Sequence, residues 1–353
     1  MLIAECHQKM NYRIYISKIL FSIAAINCMV SKSHAQDLHF SQYFNSPLLI
    51  NPANTGFAPD ADWRAGINYR NQWAGVLTNP YKTFGAWGDA QVFNDRFENG
   101  WVGLGGAILK DVAGSGNLSS TKVYASAAYH QLIGLSSLIS GGFSIGAVNK
   151  RIDANKLTFD NQWNGKFFDV TIPSGEAFNR SSVWYLDVQA GLNYAFFPSD
   201  RAYVNLGFSA SHLNNPNESF FANNITDTKV DMRYNFFANG SFKLNDQWII
   251  NPNAYYSSQS KTTETVLGIN AHYNLSGNGN VQLIGGLYYR LNDAVIPMIG
   301  YQLNDISITV NYDVTSSSLG TFNQTRGAYE LSIVKNGLFS VFGKNLKCPV
   351  VKF

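Results

Sequence analysis

The sequence predicts an all-β protein: a transmembrane antiparallel outer-membrane β-barrel of about 14 strands, with an N-terminal periplasmic or lumenal segment before the first strand. Three observations predict it. Only 14% of the 353 residues are charged, while 45% are hydrophobic and 14% aromatic, where a soluble domain carries about 25% charged residues. Amphipathic stretches of roughly ten residues alternate with period two along most of the chain. Finally, no run after residue 36 has the roughly 20 apolar residues of a membrane helix, so a membrane-like composition must be carried by strands. Such strands must close on themselves, because lipid offers no hydrogen-bond partner to an open sheet edge. The composition excludes disorder, which needs low hydrophobicity and high charge. It also disfavours nucleic acid as a partner, since that surface needs clustered basic charge.

The elements follow in chain order. Lys9, Arg13 and Lys18 precede an apolar run from Ile19 to Val30, followed by Ser33-His34-Ala35. This is the pattern of a secretory signal peptide over residues 1–35, with cleavage expected before Gln36. Removal of Lys9, Arg13, Lys18, Lys32 and Glu5 leaves 22 residues of each sign, so the formal +3 belongs to the signal. Of three cysteines only Cys348 remains, and no internal disulfide is expected. Residues 36–61 form the periplasmic or plug segment, 62–336 the barrel and 337–353 a C-terminal periplasmic tail.

Within the barrel, Trp63, Ala65, Ile67 and Tyr69 stand on one parity against Arg64, Gly66, Asn68 and Arg70 on the other. Ile306, Ile308, Val310, Tyr312 and Val314 likewise oppose Ser307, Thr309, Asn311 and Asp313. One face of each strand is apolar and one is wet. Strands are expected near 62–70, 82–93, 101–110, 120–130, 138–150, 184–196, 202–212, 229–243, 247–257, 263–274, 281–290, 294–303, 306–314 and 327–336. With the N-terminus in the periplasm, even-numbered connections such as Leu303-Asn304-Asp305 should be short, and the long stretches 151–183, 211–228 and 314–326 fall outside. Leu291-Asn292-Asp293 is short yet falls outside, which leaves the count open to an error of one hairpin there. Aromatics at strand ends, including Trp63, Tyr69, Trp101, Trp184, Tyr194, Trp248, Tyr289 and Tyr301, suit interfacial girdles. A soluble β-sandwich would carry more charge and strands of about five or six residues.

No catalytic constellation emerges. Gly142-Phe143-Ser144-Ile145-Gly146 matches the hydrolase nucleophile elbow, but that motif needs a strand-to-helix turn, and here it lies inside an alternating strand with Ser144 on the polar face. His130, on the neighbouring strand, is the one histidine placed to partner it. No cofactor is expected, and His39, His130, His212 and His272 lack metal-ligand spacing.

The stretch before the first strand, His39-Phe40-Ser41-Gln42-Tyr43-Phe44-Asn45-Ser46-Pro47-Leu48-Leu49-Ile50-Asn51-Pro52-Ala53-Asn54-Thr55-Gly56, is too apolar for a leader. It resembles the opening of the PorP/SprF family of type IX secretion system membrane proteins. Tyr69-Arg70-Asn71-Gln72-Trp73, Pro80 with Thr83-Phe84, Arg326-Gly327-Ala328-Tyr329-Glu330-Leu331-Ser332, and Lys347-Cys348-Pro349 with Phe353 extend the resemblance in order. It implies an outer-membrane component of that apparatus, embedded in lipid and not an enzyme. Its implied partners are the C-terminal domain of an exported surface adhesin, often one used in gliding, the translocon barrel and the periplasmic ring proteins. The candidate partner-binding positions on these motifs are Phe40, Ser41, Gln42, Tyr43, Asn51, Pro52, Ala53, Tyr69, Arg70, Gln72, Trp73, Glu330, Cys348 and Pro349. The apolar residues of 40–50 either plug the barrel or dock a partner. Arg70, Gln72 and Trp73 are expected to brace an outer loop by hydrogen bonding and cation–π contact. Glu330 is expected to meet Arg64 or Arg70 if it faces the lumen, since a carboxylate in lipid is costly. Cys348 is a free thiol, an intermolecular disulfide partner or a buried residue. A porin-like channel for small solutes is the alternative function, because an inward polar face of this circumference can line a solute path.

Overall fold

The computed structural model describes residues 39–58, 61–93, 96–176, 178, 180–221, 228–339 and 351–353. The expected signal peptide, Cys348 and Pro349 lie outside them.

Fourteen strands form one closed antiparallel barrel: β1 (Trp63–Gln72), β2 (Tyr81–Val92), β3 (Gly100–Ala113), β4 (Leu118–Ile133), β5 (Ser137–Arg151), β6 (Ser182–Ser199), β7 (Ala202–Ser211), β8 (Arg233–Lys243), β9 (Trp248–Gln259), β10 (Thr262–Asn274), β11 (Val281–Arg290), β12 (Ala294–Leu303), β13 (Ile306–Thr315) and β14 (Arg326–Gly337). Each strand pairs with its sequence neighbours, and β1 closes on β14 from Trp63↔Gly337 to Gln72↔Ala328. Closure leaves no edge whose N–H and C=O groups would face lipid.

The alternation sets which face is which. Ile67, Leu104, Ile108, Phe143, Ile145, Leu192, Leu267 and Ile299 are exposed on the outer wall, a continuous apolar band that water would not tolerate. Their strand neighbours Asn68, Ser144 and Asn193 are buried inside. Trp184, Trp248, Tyr289 and Tyr301 are exposed, in keeping with a girdle. Trp101 departs from that expectation: it points inward, almost fully buried, with its indole N–H bonded to the carbonyl of Gly56 at 3.0 Å.

The connection at 291–293 proves to be a tight turn rather than a missing hairpin. Asn292 takes φ 57, a left-handed conformation asparagine tolerates, and Arg290 Nη1 donates to Asp293 at 2.9 Å across the turn. It opens at the same end as the long connections 152–181 and 212–232, and that end also holds the short turn at 260–261.

The chain before β1 runs through the barrel. Ser41 and Gln42 bond to Glu330 near the start of β14, at the long-connection end. Phe57 packs with Trp101, Leu138, Ala195 and Phe197 at the opposite, short-turn end, where β1 begins. Between them the segment makes only single turns, Tyr43–Asn45, Pro47–Ile50 and Pro52–Asn54.

Candidate functional site

A segment without regular pairing inside a barrel must find a partner for nearly every buried N–H and C=O. The inner wall supplies them with side chains, and these contacts define the site.

At the long-connection end, five charged side chains from five strands gather around the first turn. The Glu330 carboxylate, fully buried, accepts the backbone N–H of Ser41 at 2.9 Å and of Gln42 at 2.8 Å. Arg70 Nη1 reaches the same carboxylate at 3.2 Å, and its Nη2 reaches Asp313 at 2.9 Å. Arg290 Nη2 stands 3.1 Å from Asp313, and Arg290 Nε 3.1 Å from Glu264. The Ser41 hydroxyl lies at the centre: it donates to Asp313 at 2.8 Å and accepts from Arg70 at 2.6 Å and Arg290 at 2.5 Å. One donor and two lone pairs are all a hydroxyl has, so Ser41 is saturated. The period-two alternation of β13 turns Asp313 inward, on the same parity as the buried Thr309, Asn311 and Thr315.

Below this clasp the wall grips the segment by its backbone and amides. Gln42 Nε2 donates to Asn311 at 2.6 Å, and Trp87 Nε1 donates to the Asn45 carbonyl at 2.9 Å. Tyr43 stacks on Tyr255 with centroids 4.8 Å apart, and Phe44 on Tyr288 at 5.4 Å. Asn51 donates to the carbonyls of Leu192 at 2.9 Å and Phe208 at 3.2 Å, and accepts the Ala53 N–H at 2.8 Å. This close approach needs glycine. A Cβ on Gly191 would lie 1.9 Å from Asn51 Oδ1, and one on Gly142 would lie 2.4 Å from the Pro52 and Ala53 backbone. At the short-turn end, Arg64 donates to the Asn54 carbonyl at 2.9 Å, and Asp89 accepts the Gly56 N–H at 2.7 Å.

Phe40, Ser41, Gln42, Tyr43, Asn51, Pro52, Ala53, Arg70 and Glu330 therefore meet in one lumenal assembly. Glu330 meets Arg70, whereas Arg64 pairs with Asp89. Tyr69, Gln72 and Trp73 stand apart from its core. Tyr69 lies on the outer parity beside Tyr329, and Trp73 packs on Tyr81 at the strand end with no cation–π partner among the described residues. The Gln72 side chain makes a single hydrogen bond among the described residues, a 3.5 Å contact with Arg70. Arg290, Asp313, Glu264 and Asp89 belong to the site and were not singled out from the sequence. Their signal was present: a charged residue on the inward parity of a membrane strand needs a partner.

Ser144 faces the lumen in mid-strand and makes no contact with His130. His130 instead touches Ser140 Oγ at 2.7 Å and the Thr55 carbonyl at 2.8 Å. A carbonyl only accepts, so Nε2 carries the proton and Nδ1 accepts from Ser140. Buried beneath the lumenal segment, this pair anchors Thr55 rather than presenting a nucleophile.

His39 sits 3.6 Å from Glu264 beside the clasp. Burial pushes its imidazole down to about 4, against the pull of Glu264, so at neutral pH the seated segment carries a neutral His39. Once released, the imidazole returns to its usual value near 6.5. Protons therefore favour the released form from about pH 6.5 down to about 4, by at most about tenfold per pH unit. The thermal midpoint is expected to fall over this window, and His39→Asn to remove that part of the fall. An unchanged profile in the variant would exclude His39 as its source.

Comparison with known proteins places this arrangement in context. A family model described as type IX secretion system membrane protein PorP/SprF matches residues 32–334. No curated protein sequence matches the chain. Among solved structures, a deltaS2 mutant of the TodX monoaromatic hydrocarbon channel is similar with TM-score 0.52 at 10% identity, covering 83% of this chain and 94% of that one. The P. putida toluene transporter TodX gives 0.48 at 12% over the same shares, and a Pseudomonas aeruginosa FadL homologue 0.46 at 10%, covering 81% and 92%. At 10% identity the likeness to the deltaS2 mutant concerns the barrel fold alone.

Proposed function

The chain belongs to the PorP/SprF family of type IX secretion system membrane proteins, and from that premise we propose that it supports export and surface attachment of a large adhesin by binding the adhesin's C-terminal domain. It acts beside the translocon barrel and the periplasmic ring proteins. The observation that carries the reading is the family match over residues 32–334, a span that includes both the lumenal segment and the last-strand Glu330 that holds it. A barrel whose wall side chains are committed to its own segment is suited to a fixed scaffold for protein partners more than to solute flow. The connection at 152–181 supports this, because Trp163, Phe167, Phe168 and Val170 are exposed there, outside the lipid-facing wall. Exposed apolar clusters of this kind mark interaction surfaces.

The test is a quantitative surface and secreted proteome of a strain lacking the gene, against its parent and a complemented strain. One or a few large exported proteins are expected to vanish from the surface or accumulate in the periplasm, and an unchanged proteome would remove the reading. In planar bilayers the purified protein is expected to give no steady, solute-selective conductance. Such a conductance would bring forward the porin alternative.

A further inference from the structure

The outer wall carries very little charge, and what it carries is of one sign. On the outward parity of the strands the charged side chains are Lys82 on β2, Lys110 on β3, Arg151 on β5 and Lys335 on β14, with no carboxylate among them. Lys335 lies at the short-turn end and covers the Trp63 ring at 5.9 Å. At the long-connection rim, Arg326 donates to the Gly75 carbonyl at 2.9 Å. Lys82, Lys110 and Arg151 share that end and are exposed. Among the described residues none of the three covers an aromatic ring or pairs with a carboxylate. The acids nearest them in sequence are engaged elsewhere: Asp111 accepts the Thr83 hydroxyl at 2.6 Å, and Asp153 pairs with Lys156 at 3.7 Å.

Register gathers the three cations into one patch. Lys82 stands opposite Val112, two residues from Lys110, and the row continues from Val112 to Ser119 and from Ser119 to Arg151. Lys82 and Lys110 are therefore diagonal neighbours about 7–8 Å apart. With strands about 4.8 Å apart, Arg151 stands about 14 Å from Lys82. Between them β4 turns out Ser119 and Thr121, whose hydroxyls can donate. Two residues toward the bilayer the wall is apolar, with Phe84, Ile108 and Val123 exposed. The cations thus stand where hydrocarbon gives way to head groups, a depth at which their charge costs little and their long stems reach outward. Long connections mark the extracellular end of such barrels, so this patch meets the outer leaflet. Three cations with hydroxyls between them and no acid suit an anion with several acceptor oxygens. We propose that the outer ends of β2 to β5 are a docking site for the phosphorylated head group of an outer-leaflet lipid, held by Lys82, Lys110 and Arg151. Its acyl chains then lie along Phe84, Ile108 and Val123.

The test uses purified full-length protein in an uncharged detergent. The probe is a fluorescent bis-phosphorylated glucosamine lipid, lipid A, with its dephosphorylated form beside it. Lys82→Gln, Lys110→Gln and Arg151→Gln together are expected to weaken lipid A binding by about tenfold or more, in a barrel shown to be closed by its heat-modifiable migration. Lys335→Gln, at the other end, is expected to leave binding unchanged. The wild type is expected to prefer the phosphorylated lipid, and millimolar inorganic phosphate is expected not to displace it. Equal binding by wild type and triple variant, an equal loss in Lys335→Gln, or indifference to the lipid phosphates would each overturn the proposal. Displacement by inorganic phosphate would also overturn it, reassigning the patch to the free anion. The readout is lipid binding to isolated protein, so it stands or falls separately from the export result.

Discussion

Glu330→Gln is expected to be the most damaging single substitution in the barrel, lowering its stability by about 3–5 kcal/mol, the cost of breaking a buried ion pair from one side. Among the described residues the carboxylate is the sole acceptor for the Ser41 and Gln42 amides and one of the two carboxylates that Arg70 meets. Glutamine keeps the shape but supplies one carbonyl where two oxygens accepted, and turns an NH₂ toward groups that only donate. It also leaves Arg70 and Arg290 facing Asp313 and Glu264 without the third buried carboxylate. Urea midpoints at neutral pH, read by the heat-modifiable gel shift, give the number, and a loss below about 1 kcal/mol would show that Glu330 does not hold the segment. Arg70→Met with Glu330→Met is expected to recover part of the loss, since hydrophobic replacement of a whole pair is often neutral. It cannot recover all, because the two amides of residues 41 and 42 stay unpaired.

Gly142→Val is expected to expel the middle of the lumenal segment. The new Cβ would stand 2.4 Å from the backbone of Pro52 and Ala53, which cannot rotate away as a side-chain tip can. Overpacking ordinarily costs about 1–3 kcal/mol, and a backbone clash belongs at the top of that range. Limited proteolysis checks it: residues 39–58 are expected to be cut in the variant and protected in the wild type. Gly141→Ala, one residue along on the outer face, meets only Leu192 Cδ2 at 3.8 Å and is expected to be silent. Equal protection of wild type and Gly142→Val would mean that the segment passes elsewhere.

The barrel was legible in the sequence because a bilayer outside and a polar lumen inside enforce period two over whole strands. The apparent nucleophile motif was legible too, since Ser144 shares its parity with Gly142. That glycine serves the passage of Pro52 and Ala53 rather than a turn. Trp101 misled because a tryptophan at a strand end suits either face. Its parity partners Gly103 and Gly105 were the clue, being small where the wall approaches the segment. The charge clasp was only half visible. Arg70 and Glu330 fall in family motifs, while Arg290 and Asp313 reach Ser41 through closure of the barrel, 249 and 272 residues away in sequence, a proximity no local pattern encodes.

That separation has a consequence for assembly. The first turn of the described chain is held by the final hairpin, across 289 residues at Ser41 and Glu330, so its seat does not exist until β14 has arrived. Contacts so distant form slowly, since the intervening loop must be ordered before they repay its entropy. Sealing of the cylinder and filling of its bore are thereby one late event, and a nascent chain stopped before β14 would leave its opening residues without a place to settle.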